Sequence, residues 1–265
     1  MRRPVSTSSA RAFLGRRRRG ARVSFRVTAA TSARVLRQLR HDPRTLALIV
    51  VVPCVLITLL KYVFLDSGVF DRIGGPLVGL FPLTSMFVVT SITMLRERTT
   101  GTLERLMTMP LSKLDLLLGY AGAFALVAFG QAGLVAALAF GVLDLDVVGP
   151  TWAVILLAIA NAVLGMALGL FVSAFARSEF QAVQFLPAFI LPQILLCGLL
   201  APRDEMARAL EIVSWALPLS YAYGALDRVT RGIYGPALSA YVLATLGFAV
   251  LALVLGAFTL RRRTP

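Results

Sequence analysis

"LRERTTGTLERLMTMPLSK", residues Leu95 to Lys113, sets a charged, helix-like insert between long apolar runs. It carries four cations, two carboxylates, several threonines, a glycine and a proline. Before it lie apolar runs at 46–65 and 75–95, and after it runs at 115–143, 152–175, 182–200 and 237–260. Each approaches the ~20 residues that a bilayer core requires. The chain is 58% hydrophobic and 15% charged, where soluble domains carry roughly a quarter charged residues. The fold class predicted is an all-α polytopic membrane protein with six transmembrane helices, the quoted stretch joining the second span to the third.

Net charge is +14, but no basic folded module accompanies it, so nucleic acid is not an expected partner. Basic segments flanking apolar spans are what the positive-inside rule produces. With the N-terminus inside, inner segments hold 13 (1–45), four (96–113), one (176–181) and three (261–265) Lys and Arg. Outer segments hold one (66–74), none (144–150) and four (201–236). This predicts a plasma-membrane protein, the bacterial inner membrane, with both termini and residues 96–113 in the cytoplasm.

Residues 1–21, with four successive arginines from Arg16 to Arg19, read as a disordered basic cytoplasmic tail. No short apolar region with a small-residue cleavage site marks a signal peptide. Residues 22–45 read as an amphipathic helix in the membrane interface, in contact with lipid. Arg22, Arg26, Arg37 and Arg40 cluster on one side, and Phe25, Ala29, Leu36 and Leu39 on another. Asp42 and Pro43 supply an N-cap and a first turn for span one. Residues 46–265 form the six-span domain. Within it, 201–236 is too long for a turn and too apolar for a solvated loop. "RDEMARALEIVSWAL" has helical periodicity, with Met206, Leu210 and Val213 on one face, and "SYAYGALDRV" reads as a second short helix after Pro218. Neither can span. Both read as re-entrant or surface helices before span six, with Trp215, Tyr221, Tyr223 and Tyr234 at headgroup level.

Asn161, Gly165, Gly169 and Ser173 recur every four residues in span four. Such a ridge lets helix backbones approach closely, within one subunit or between two. Span three holds Gly119, Gly122, Gly130 and Gly133, a sign of tight packing or bending. Cys54 and Cys197 read as small packing residues. The deep polar groups, Gln131, Asn161 and Gln193, are uncharged, while Lys61 and Asp115 lie near span ends. Ion-driven transporters place carboxylates at mid-depth, so an ion-coupled transporter or channel is the weaker alternative. The single histidine, His41, allows neither a metal site nor a nucleophile–histidine constellation, so no catalytic residue and no metal ligand is assigned and a membrane enzyme is disfavoured. Lys61 and Lys113 follow Leu60 and Ser112, so the Gly-Lys of a Walker A loop is missing. The chain is expected to bind no cofactor itself.

Thr100 or Thr102 can cap a short helix that Pro110 ends, with Leu103, Leu106 and Met107 as its apolar stripe and Glu104 and Arg105 at the polar edge. A helix of this size can enter a groove on a partner protein. The stretch from Arg96 to Tyr120 closely resembles the first cytoplasmic loop of type-2 ATP-binding-cassette exporter permeases. Arg96, Glu97, Gly101, Thr102, Glu104, Pro110, Ser112 and Gly119 occupy the family's pattern, with Leu111 as a departure between proline and serine. Pro202, Leu217, Pro218, Tyr221 and Arg228 match a second signature of that family on the outer side. The resemblance implies a dimer, of two copies or of related permeases, each half docked on a separate cytoplasmic ATPase that holds ATP and Mg. It makes Thr102 to Met109 the coupling helix, and Arg96, Glu97, Gly101, Thr102, Leu103, Glu104, Arg105, Leu106 and Pro110 the ATPase-coupling residues. It also implies export of an amphipathic drug, lipid or glycolipid-like cargo. Phe81, Met86 and Phe87 on span two, with Phe185, Phe189 and Gln193 on span five, are candidates for an uncharged cargo path or ordinary packing. Pro187 and Pro192 weaken span five between them.

Overall fold

The computed structural model describes residues 25–65, 68–102, 105 and 113–259. The tail at 1–21 and most of the Thr102 to Met109 stretch lie outside the described residues. In chain order the helices are α1 (Phe25–Arg40), α2 (Pro43–Val63), α3 (Val69–Thr99), α4 (Lys113–Gly141), α5 (Thr151–Val172) and α6 (Glu179–Phe185). A π-helical turn at Leu186–Ile190 leads into α7 (Leu191–Leu196), and a 3₁₀ turn at Arg203–Glu205 precedes α8 (Arg208–Trp215), α9 (Pro218–Thr230) and α10 (Pro236–Thr259). Among the described residues there is no strand, and six helices are long and apolar enough to cross a membrane: α2, α3, α4, α5, the α6–α7 run and α10. The protein is an all-α polytopic membrane protein.

α3 and α5 are the centre of the bundle. Each buries 67% of its most apolar window, against 17% for α2 and for the α6–α7 run. Their contact is backbone to backbone. A Cβ on Gly165 would overlap the Leu83 carbonyl, and one on Gly169 would sit 2.5 Å from the Phe87 carbonyl oxygen. Gly165 and Gly169 of the ridge therefore lie against α3 inside one chain, while Asn161 donates to the Ala222 carbonyl of α9 (3.3 Å). The outward side chains of α2, such as Leu48, Val51, Val55 and Leu59, are left to lipid or to another protein.

α3 starts at Val69, six residues before the predicted span. The added turns pack closely: a Cβ on Gly74 would meet Leu145 at 2.7 Å and one on Gly75 would overlap Thr230. These glycines let the helix approach Leu145 and Thr230 closely. α3 also continues through Arg96–Thr99, so the first polar residues of the quoted stretch are helical.

α1 ends at Arg40, because Asp42 opens α2: its carboxylate accepts from the Thr45 amide (3.2 Å) and hydroxyl (2.7 Å). α1 is docked against α4, and its buried face is Thr31, Val35 and Leu39. Phe25 and Ala29, on the expected apolar side, are exposed. Gly119 decides this. A Cβ there would sit 2.5 Å from that of Thr31, and its carbonyl accepts a 2.7 Å bond from Ser32.

The segment before α10 also departs from the periodicity. The predicted fifteen-residue helix resolves into a 3₁₀ turn and the two-turn α8. Met206 falls outside α8, and Leu210 and Val213 are exposed. α9 is the buried element: Leu219, Ala222, Tyr223, Leu226 and Val229 pack against α3, α5 and α10.

Candidate functional site

The last turn of α3, Arg96-Glu97-Arg98, ties four helices together. Arg96 donates from Nε and Nη2 to the two Glu179 oxygens of α6 (2.6 and 3.0 Å) and from Nη1 to Asp42 at the start of α2 (3.2 Å). Glu97 turns the other way and accepts from Arg34 (3.3 Å) and Gln38 (3.1 Å) of α1. Arg34 also bonds the Tyr120 hydroxyl of α4. Arg98 reaches Thr259 at the end of α10 (3.3 Å). Residues three and four apart share a helix face and successive ones do not, so a triplet can hold elements on several sides. The bonds from Thr45, and then the nearby Arg96, hold the Asp42 carboxyl below its ordinary value despite opposing burial.

α3 stops at a hinge. The Thr100 hydroxyl bonds back to the Arg96 carbonyl (2.8 Å), and Gly101 adopts φ +70°. A left-handed residue after the last helical turn favours glycine, because a side chain there is strained. The Gly101 carbonyl then accepts from the Arg105 amide (3.0 Å), and Thr102 and Arg105 are helical. Gly101 thus both ends one helix and caps the next, where Thr100 or Thr102 was the predicted cap. Leu103, Glu104, Leu106, Pro110 and Ser112 lie outside the described residues.

The candidate path residues are divided. Phe87 of α3 stacks on Phe189 at 6.3 Å and 19°. Met86 and Phe87 are fully buried, whereas Phe81, Phe185 and Phe189 are half-buried. Gln193 is buried and bonds the Phe189 carbonyl of its own helix (2.9 Å). Pro187 and Pro192 carry no N–H to bond four residues back. Between them the chain widens to the π pattern, with the Leu191 amide on the Leu186 carbonyl. Such turns recur at functional sites.

At the opposite end of the bundle the second set of signature residues converges. Pro202 precedes the 3₁₀ turn, and Leu217 and Pro218 begin α9. Tyr221 donates to the Trp215 carbonyl (2.6 Å) and its ring lies 5.7 Å from those of Tyr241 and Phe248. Arg228 stands over the Tyr241 ring at 5.2 Å. Tyr223, expected at headgroup level, is buried, which pushes its phenol up.

Sequence reasoning passed over Arg34, Gln38, Arg98, Tyr120, Glu179 and Thr259. One signal was available. Ser178 and Gln181 form a capping pair, the Ser178 hydroxyl accepting from the Gln181 amide (3.2 Å), which fixes a helix start and places Glu179 in its first turn.

The family model described as "ABC-2 type transporter" matches residues 26–230. Proteins of two Escherichia coli strains, each named "Probable multidrug ABC transporter permease YbhR", are 27% identical over 161 residues. The match covers 60% of this chain and 42% of those relatives, so it spans less than half of their length. The family match takes in α1, the Arg96-Glu97-Arg98 collar, the Gly101 hinge and the Tyr221–Arg228 cluster, and the chain belongs to the ABC-2 type transporter family.

Proposed function

We propose that this chain is the membrane-spanning permease subunit of an ATP-binding-cassette exporter. It moves an amphipathic drug, lipid or glycolipid-like cargo out of the cytoplasm, driven by ATP and Mg bound on a separate cytoplasmic ATPase. Family membership supports the class, and the multidrug name of the relatives supports the cargo. The observation that carries the coupling is the collar: the residues before the Gly101 hinge hold α1, α2, α6 and α10. A push on the segment after the hinge would reach all of these elements through α3. Thr102 to Met109 acts as the coupling helix, with Leu103, Glu104, Arg105, Leu106 and Pro110 meeting the ATPase. Two permeases, identical or related, form the working unit in the plasma membrane with both termini inside. The stacked pair Phe87 and Phe189, with Phe81, Met86, Phe185 and Gln193, borders the cargo path, and the π turn is its moving wall.

The test is purification of the tagged full chain from its native membrane. A cytoplasmic subunit with a Walker A loop should co-purify, and its ATPase should respond to candidate drugs and lipids. Gly101→Pro and Glu104→Arg should abolish that response while leaving insertion intact. Absence of any ATPase partner, or a full response in both variants, would reject the reading.

A further inference from the structure

We propose that a cavity at the end opposite the collar binds a phosphate-bearing anion, the shared chemistry of a lipid headgroup and of free phosphate. The cavity has a volume of about 640 Å³, and its walls come from α3, the 3₁₀ turn, α8, α9 and α10. Arg72, Arg203, Arg228 and Arg231 all line it. Arg231 is held by Asp227 at 2.8 Å, and the wall residue Glu211 is held by exposed Arg208 at 2.9 Å. Arg72, Arg203 and Arg228 form no ion pair among the described residues, against one such wall carboxylate, Asp204. The cavity therefore carries a surplus of positive charge, and a cleft with low-dielectric walls concentrates anions.

Two of these guanidinium groups are fixed in advance. Arg203 lies 4.3 Å over the Trp215 ring and 5.5 Å from that of Tyr241, and donates from Nη2 to the Tyr241 hydroxyl at 2.5 Å. Arg228 lies over the same Tyr241 ring. Aromatic faces hold guanidinium planes without using their N–H donors, so the Arg228 fork and the Arg203 donors other than the one on Tyr241 are left for an acceptor. Arg203 Nη1 is buried and finds no acceptor among the described residues. Separate forks around one cavity suit a phosphate, whose several oxygens can serve more than one of them. Trp215, Tyr234 and Tyr241 at this end match the aromatic belt that sits at headgroup depth.

The inference does not depend on the permease reading. Its test uses the full chain in dodecyl maltoside, which is free of phosphate. The chain has two tryptophans, Trp152 and Trp215, so Trp152→Phe leaves Trp215 as the probe. Its emission is titrated with dioctanoyl phosphatidylglycerol, with inorganic phosphate at constant ionic strength, and with dioctanoylglycerol. Saturation by the phospholipid alone assigns a headgroup. Saturation by phosphate alone assigns a free anion, and saturation by both assigns the phosphate group itself. Arg203→Gln and Arg228→Gln should each raise the half-saturating concentration roughly tenfold, whereas Arg177→Gln near the collar should not. If Arg203→Gln does not fold, Arg228→Gln and Arg72→Gln carry the test. An equal response to dioctanoylglycerol, no saturation by either phosphate probe, or unchanged half-saturation in the Arg72 and Arg228 variants would overturn the site.

Discussion

Gln131 lies buried in α4 and donates from one amide nitrogen to the Ile49 carbonyl of α2 (2.6 Å) and to the Ser85 hydroxyl of α3 (2.5 Å). The reason is on α2. Pro53 has no N–H, so the Ile49 carbonyl four residues back loses its helical donor. A carbonyl without a partner inside a membrane is costly, and a neighbouring helix supplies the missing bond. Gln131→Leu should therefore cost about 1–3 kcal/mol. Combined with Pro53→Ala, which returns an N–H to α2, part of that loss should be recovered. Thermal unfolding of the four proteins in detergent measures the cycle, and strictly additive effects would show that the two sites are not coupled. The sequence displayed Pro53 and a deep Gln131 but not their pairing, because the partners lie far apart in the chain and only the packing of α2 on α4 brings them together.

At the scale of elements, α3 acts as a strut with a hub at its last turn. The hub's bonds differ in environment. The Glu97 side chain is 6% exposed, whereas those of Arg96 and Glu179 are about half exposed. Removing one partner of a buried charge pair leaves the other uncompensated, while exposed pairs are screened by water. Glu97→Ala should lower stability by about 2 kcal/mol, below the range for fully buried pairs because the Arg34 left behind is 28% exposed, and Glu179→Ala by less than about 1 kcal/mol. Chemical unfolding in detergent reads both, and equal losses would contradict the role assigned to burial. The six spans were legible because long apolar runs reveal length and composition directly. Their ends were less so, since the α3 turns from Val69 to Gly74 include Asp71 and Arg72 and lie outside the apolar run. The Asp42 cap was legible because its partner, Thr45, is three residues away. The depth of α9 was not legible, because its buried face mixes Leu219 and Leu226 with Ser220, Ala222 and Tyr223. The bidentate Arg96–Glu179 pair joins residues 83 apart and has no local signature.

For the whole molecule, the two ends have different chemistry. One gathers the collar, the Gly101 hinge and the Asp42 cap. The other gathers the arginine–aromatic cavity, with Asp146 bonded through its amide to Asp71 (3.2 Å). The proposed mechanism assigns the first end to the cytoplasm, where ATP is hydrolysed, and the second to the outer face. Coupling through the collar requires that assignment, and the distribution of lysine and arginine argues for it. Thiol labelling in intact cells tests it most directly. On a Cys54→Ala, Cys197→Ala background, Asp146→Cys and Thr99→Cys are treated with a membrane-impermeant maleimide before and after permeabilisation. Asp146→Cys should react in intact cells, and Thr99→Cys only once the membrane is opened. Labelling of Thr99→Cys from outside, with Asp146→Cys protected, would contradict that assignment.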